Sequence, residues 1–511
     1  MAAFVFSQIV SLLAKVLTAR AFGTGMESEA FFAANRFSEI LFNLVAGGAL
    51  GSAFIPTLTT LLSQDDRKGA WRLASALANW VTLILVIVGV LSAVFAEQVV
   101  RYVLAPGFAT ATSPAKEALT AQLLRIQLPS AVLFGLSGLV MGILNAHQSF
   151  LYSALAPAMY QVGWILGAVV LAPIYGIYGL GAGVVLGSAL HLAVQVPTLL
   201  RLRGRRYHLT LGIRSPSTRE VARLMAPRLL GVAIVQLNFL LNTYLASYMP
   251  DGSVSGISFA FPLMYMPLAA IAQSVAIAAL PTFSAQAARG RLDEMRSSLA
   301  VSLRGVLLLA VPASLGLMLL RKPIVALLYQ GGEFTAASTE LVAWALLWYA
   351  LGLVGHSMVE IVSRAFYALH DTKTPVMVGV AAMSLNLVFS LVFSTLFTRI
   401  GWAPLGGLAL ANTLATFLEA LALLYLMRRR LAGLHGRNIL AGLSQAGIAA
   451  LLMGAAIVGW NMISGTWHVA ISALGGVAAG GVVYAAVLLV LGVNEARQMV
   501  GLLQKRIFTH R

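Results

Sequence analysis

The chain has 511 residues, 59% of them hydrophobic and only 10% charged, with a formal net charge of +17 and no cysteine. A soluble domain carries about a quarter charged residues, and a disordered chain is poor in apolar ones, so this composition excludes a soluble enzyme and disorder alike. What remains is a polytopic membrane protein with no disulfide, thiolate metal site or cysteine nucleophile. The positive balance does not point to nucleic acid, because that reading needs a basic face on a soluble domain.

A spanning helix takes roughly 20 apolar residues. Fourteen stretches qualify, near 2–20, 30–60, 73–95, 119–145, 151–172, 177–200, 224–249, 256–284, 298–320, 338–368, 375–398, 404–427, 438–462 and 467–492. The run at 323–329 is too short to span and reads as a connector. The first run has no basic leader and no small-residue cleavage motif after it, so it counts as helix 1 rather than a signal peptide. Its abrupt start leaves room for residues upstream.

An even number of spans puts both termini on one side. Alternating the loops then gives that side 22 of the 34 Lys and Arg, in 67–72, 201–223, 289–296, 373, 428–437 and 497–511. The other side receives six: Arg20, Arg101, Lys116, Arg321, Lys322 and Arg399. The last six, Lys15, Arg36, Arg125, Arg228, Arg304 and Arg364, fall inside spans or at their edges. Basic loops stay in the cytoplasm, so both termini are expected there.

Three features repeat in order. Pro56 and Pro281, each in an apolar helix end, are 225 residues apart, as are Gly107 and Gly332 after helices 3 and 9; Asn145 and Tyr367 near the ends of helices 4 and 10 are 222 apart. This indicates a duplicated six-helix unit with parallel copies, the arrangement in which transporters place a substrate between repeats. The expected organisation is an N-lobe at 1–200 (helices 1–6), a basic cytoplasmic linker at 201–223, a C-lobe at 224–430 (helices 7–12), and helices 13–14 with a cytoplasmic tail at 431–511.

Ionisable groups within spans are costly and mark cavities or partners. Helix 1 carries Gln8, Ser11, Lys15 and Thr18 on one face, and helix 2 carries Glu29, Arg36, Glu39 and Asn43 largely on one face. Together they would line an N-lobe cavity; alternatively Arg36 and Glu39 neutralise each other and Lys15 snorkels. On helix 10, His356, Glu360 and Arg364 at i, i+4 and i+8 form either a proton relay or an internal ion-pair ladder. Helix 7 (Gln236, Asn238, Asn242), helix 11 (Ser384, Asn386, Ser390) and helix 12 (Asn412, Thr413, Thr416, Glu419) offer oxygen ligands to a monovalent cation such as sodium, or bonds between helices. Gly47, Gly48, Gly51, Gly475, Gly476, Gly480 and Gly481 lie inside spans and read as close packing. No metalloprotease, phosphate-loop or nucleophile-elbow motif occurs. No catalytic residue, metal or cofactor is therefore assigned.

The segment from Thr18-Ala19-Arg20-Ala21-Phe22-Gly23-Thr24-Gly25-Met26 through Glu29-Ala30-Phe31-Phe32 to Ala53-Phe54-Ile55-Pro56 resembles the MurJ (MviN) lipid II flippase family. So do Ala105-Pro106-Gly107-Phe108, Gly252-Ser253-Val254-Ser255, Leu280-Pro281, Gly332-Glu333-Phe334 and Asp371-Thr372-Lys373-Thr374-Pro375. The resemblance covers nearly the whole chain. It implies the fold of the multidrug/oligosaccharidyl-lipid/polysaccharide (MOP) exporter superfamily and alternating access for an undecaprenyl-diphosphate-linked peptidoglycan precursor. Family arginines on helices 1, 2 and 8 correspond here to Gln8, Ala14, Phe42 and Pro262. Lys15, Arg20 and Arg36 remain to hold the diphosphate, with Glu29 and Glu39 tuning them and Asn43 meeting polar substrate groups.

The expectation is thus an all-α flippase of the bacterial inner membrane, with two six-helix lobes around a cleft, two appended helices, and a lipid-linked cell-wall precursor as partner. The alternatives are an exporter of another lipid-linked oligosaccharide or an amphiphilic drug on the same fold, and a non-transporting membrane scaffold.

Overall fold

The computed structural model describes residues 2–44, 53–109, 114–202, 204–464 and 467–497. Gly47, Gly48 and Gly51, and the loop cations Arg203, Lys505, Arg506 and Arg511, lie outside the described residues. Among those residues the architecture is helical, and one isolated bridge pairs Gly331 with Phe334.

The chain divides into two compact units. The first comprises residues 1–255 and 331–335. Its helices are α1 (Ala2–Phe22), α2 (Met26–Phe42), α3 (Ile55–Ser63), α4 (Arg67–Val94), α5 (Ala96–Val99), α6 (Pro114–Ala146), α7 (Phe150–Leu166), α8 (Ala172–Tyr175), α9 (Ile177–Ala193), α10 (Val196–Arg201) and α11 (Pro216–Ser247). The second comprises 256–330 and 336–511. It is built from α12 (Ser253–Leu268), α13 (Ser274–Ala288), α14 (Leu292–Leu319), α15 (Arg321–Tyr329), α16 (Ala336–Ala368), α17 (Lys373–Arg399), α18 (Leu405–Arg430), α19 (Gly436–Ser464) and α20 (Val469–Val490).

Eleven of the fourteen expected stretches are helices long and apolar enough to cross a membrane. The other three are helical too. They fall on α1, 21 residues long; on α2 and α3, which flank residues 45–52; and on α11, whose apolar part is Gly231–Ser247. Helix formation is inexpensive in these segments because every internal backbone group is satisfied within the helix, which is what lipid demands. Two spans are interrupted by single π turns, at Gly167–Leu171 and Ala269–Gln273, a common cause of bends in long helices.

The run at 323–329 is not a plain connector. It forms the helix α15, still too short to span, because Val325 and Tyr329 are buried and the Tyr329 hydroxyl donates to the Phe259 carbonyl at 3.3 Å. Of the glycines read as packing positions on α20, Gly475 faces Trp460 of α19, Gly476 faces Leu320, and Gly480 faces Ile457 and Met453 of α19, whereas Gly481 faces open space.

Candidate functional site

The polar stripe of α1 enters the interior of the first unit. Thr18, fully buried, donates to the Ala14 carbonyl at 2.9 Å and accepts the indole N–H of Trp164 on α7 at 2.8 Å. One turn earlier, the Lys15 ammonium stands 4.5 Å from the centre of the Phe32 ring and 4.6 Å from that of Trp164. Among the described residues no carboxylate forms an ion pair with it; Glu39 and Arg36 of α2 are the charges that act on it from further away. The rings supply a cation–π cradle that weakens when wet and strengthens when water is excluded.

On α2, Arg36 Nη1 meets Glu39 Oε2 at 2.7 Å, and Asn35 Nδ2 donates to Glu39 Oε1 at 2.8 Å. The Arg36 guanidinium lies 5.5 Å from the Phe239 ring centre on α11. Asn43 caps the C-terminal end of α2 through its backbone N–H. Among the described residues Asn35 Oδ1 and Arg36 Nε have no hydrogen-bond partner, nor has either amide atom of the fully buried Gln127 on α6, whose Nε2 points to Gly181 of α9. Buried polar atoms are nearly always paired in folded proteins, so a group of orphans marks a place where a polar ligand or water completes the set. Beside them runs a chain of rings, Phe42–Phe134 at 4.4 Å, Phe134–Tyr160 at 4.9 Å and Tyr160–Trp164 at 5.9 Å.

Arg20 and Glu29 belong to a different cluster. Glu29 and Glu39 are ten residues apart on α2, about 15 Å along the axis. Glu29 accepts the Val254 backbone N–H at 2.9 Å and pairs with Lys116, which also pairs with Asp251 at 2.9 Å. Lys116 and Glu29 are 6% and 1% exposed, and Lys116 lies over the Phe108 ring at 4.2 Å. Next to this trio two loops make reciprocal contacts. Gly107 donates its backbone N–H to Ser247 Oγ, at the end of α11, at 3.0 Å; Glu333, next to Gly332, donates its own to the Arg20 carbonyl near the end of α1 at 2.9 Å. Any side chain at Gly107 would collide with the Ser247 carbonyl, and any at Gly332 with the Arg20 carbonyl. The two glycines found 225 residues apart each let a loop backbone press against the end of a helix, Gly107 at α11 and Gly332 at α1.

The remaining expected residues fall in both units. Asn242 is buried on α11 in the first unit. In the second unit Asn386 and Thr413 are buried, and the Thr413 hydroxyl donates to the Trp348 carbonyl at 2.7 Å, a bond between helices. The line of His356, Glu360 and Arg364 on α16 splits. His356 Nε2 turns to α18, reaching Asn412 Oδ1 at 3.1 Å and Thr416 Oγ1 at 3.4 Å; Glu360 meets Arg364 at 3.6 Å and Gln273 at 3.5 Å.

Sequence reasoning placed Lys116 among ordinary loop cations and passed over Gln127, Trp164 and Phe32. Lys116 gave no local signal, since its partners are 87 and 135 residues away. Gln127 did give one: an amide inside an expected span, two residues from Arg125.

The fold is that of a membrane transporter. A multidrug resistance MATE family transporter of the MOP superfamily, solved inward-facing, superposes with a TM-score of 0.68 over 84% of this chain and 96% of that one; at 15% identity this speaks for fold alone. A lipid II flippase MurJ solved in an inward closed conformation matches with a TM-score of 0.82 at 25% identity, over 98% of this chain and 99% of that one. The sequence profile of the lipid II flippase MurJ family matches residues 18–478. A probable lipid II flippase MurJ of Vibrio cholerae is 29% identical over 96% of this chain and 94% of its own length, and a lipid II flippase MurJ of Burkholderia cenocepacia is 31% identical over 81% and 80%. The chain is a multi-pass membrane protein, and it belongs to the lipid II flippase MurJ family.

Proposed function

We propose that this chain translocates lipid II, the undecaprenyl-diphosphate-linked peptidoglycan precursor, from the cytoplasmic to the outer leaflet of the bacterial inner membrane. Movement is by alternating access of two six-helix lobes, at 1–200 and 224–430, with both termini cytoplasmic and no covalent change in the lipid. The observation that carries this reading is the family match, which runs through residues 18–478 rather than one motif.

Within that reading the diphosphate is held by Lys15 and Arg36, with Arg20 about 7.5 Å further along α1. A diphosphate in a water-poor interior needs fixed cations and hydrogen-bond donors. Among the described residues Lys15 has a charge that no carboxylate closes, and Arg36 Nε and the Gln127 amide have bonds still to make. Glu39 orients Arg36, Asn43 meets polar substrate groups, and Glu29 acts at a distance through its pairing with Lys116.

The test is rescue of a bacterial strain depleted of its own lipid II flippase, with reconstituted lipid II translocation measured alongside. Growth with normal cell shape and translocation above protein-free vesicles are expected. A well-expressed, membrane-inserted chain that neither rescues nor translocates would sink the reading.

A further inference from the structure

The loop joining α10 to α11 is stitched to α4. Asn79 Nδ2 donates to the carbonyls of His208 (3.2 Å) and Thr210 (2.8 Å), and the Trp80 indole donates to the Leu211 carbonyl (2.8 Å). The His208 backbone N–H donates to Ser75 Oγ at 3.1 Å. Between this loop and the turn before α4 lies a cavity of about 980 Å³.

Three features of its wall call for an anion. The 32-residue helix α11 starts there with no side-chain cap, and Pro216 leaves the N–H groups of Ser217 and Thr218 as the positive end of the helix dipole. Thr218 is only 6% exposed, and its hydroxyl oxygen has no hydrogen-bond partner; nor has Nε2 of His208 on the same wall. Finally, Arg72 and Arg214 also line the cavity, exposed, and neither forms an ion pair among the described residues. The one carboxylate in the lining, Asp66, is engaged as the cap of α4, accepting the Gly69 N–H at 2.8 Å.

The neighbouring side chains say which anion. Tyr207, Leu209 and Ile213 are 68%, 90% and 59% exposed, and the run they form is bracketed by Arg205 and Arg206 on one side and Arg214 on the other. Large exposed apolar groups flanked by arginines describe a segment lying in the interfacial layer of an anionic leaflet. We propose that the cavity seats the phosphate of an anionic phospholipid headgroup. The phosphate takes the N-terminus of α11, the Thr218 hydroxyl and the two arginines, and the acyl chains lie beside Leu209 and Ile213.

The experiment titrates the full chain in detergent micelles with dihexanoyl phosphatidylglycerol, dihexanoyl phosphatidylcholine and inorganic phosphate, reading heat of binding. Phosphatidylglycerol is expected to bind saturably and more tightly than the other two. Arg72→Ala/Arg214→Ala should weaken it about ten-fold or more, the loss of charge-assisted bonds to the phosphate. Thr218→Val keeps the shape and removes an unpartnered hydroxyl, so its melting temperature should hold or rise while lipid binding weakens; it keeps the test decisive if the double variant folds poorly. Unchanged phosphatidylglycerol binding in a folded Thr218→Val chain overturns the proposal. So does inorganic phosphate binding as tightly as phosphatidylglycerol, which would make this a site for the free ion, or the absence of saturable binding.

Discussion

Lys15 and Lys116 sit in the same unit, and their charges are answered in opposite ways. Lys116 is closed between Glu29 and Asp251, with Glu29 further tied to the Val254 N–H. Lys15 faces the Phe32 and Trp164 rings, with no carboxylate in ion-pair reach among the described residues. A buried pair spends its attraction on repaying desolvation and holding segments in place, and it costs most when only one partner is removed. A cation held by rings keeps most of its field for an arriving anion. The contrast gives Lys116 a part in the architecture; in the function proposed above, Lys15 is the cation left for the diphosphate.

The largest expected effect is Lys116→Met. It leaves the Glu29 carboxylate buried and uncompensated, which should lower stability by about 3–5 kcal/mol. Thermal unfolding in detergent measures this, and adding Glu29→Gln should recover much of it. A Lys116→Met chain melting with the parent would mean that the pair does not hold α2 to α6.

Lys15→Met is expected to reverse that pattern. Losing a charged contact to the diphosphate costs about 1.5–3 kcal/mol of binding, or roughly ten- to a hundred-fold in lipid II translocation, with little change in melting. If translocation survives while stability falls, the two lysines share one structural role. Gln127→Leu sharpens the same contrast. Its amide atoms have no partner to lose, so stability should hold or rise while translocation drops by about an order of magnitude. A drop in stability would show that Gln127 is already satisfied by the fold.

Much of the fold could be read from the chain because hydropathy is local: eleven expected spans are apolar helices of spanning length. The site was read less well for a geometric reason. Sequence grouped Lys15, Arg20, Glu29 and Arg36 by their nearness along two helices. The structure divides them, because ten residues of helix carry Glu29 well away from Glu39, into the company of Lys116. Periodicity locates a polar face but says nothing about which distant residue meets it, and the aromatic cradle of Lys15 depends on Trp164, 149 residues further along the chain. The cavity beside α11 was equally hidden, since it exists only where the linker folds onto α4.

The smallest effect carries the comparison from buried charge to the surface. Asp371 stands between α16 and α17, accepting the Thr374 N–H at 3.0 Å and the Thr374 hydroxyl at 2.8 Å. These bonds, with Arg430 and the Lys373 backbone N–H as lesser causes, hold its carboxyl below the usual aspartate range. A carboxyl whose folded pKa is depressed adds stability that is fully present above its unfolded value, near 3.9, and is lost as pH falls through the lower folded value. Asp371→Ala should therefore cost about 0.5–1 kcal/mol at pH 7, the scale of a helix cap, and the gap to the parent should close in more acidic solution. Melting the two proteins at pH 7 and again below the folded pKa reads the difference directly. A gap that persists unchanged in acid would assign the loss to packing rather than charge. A gap of several kcal/mol would place this half-buried carboxylate with Glu29, and erase the distinction between charges that hold the fold together and charges that only trim its edges.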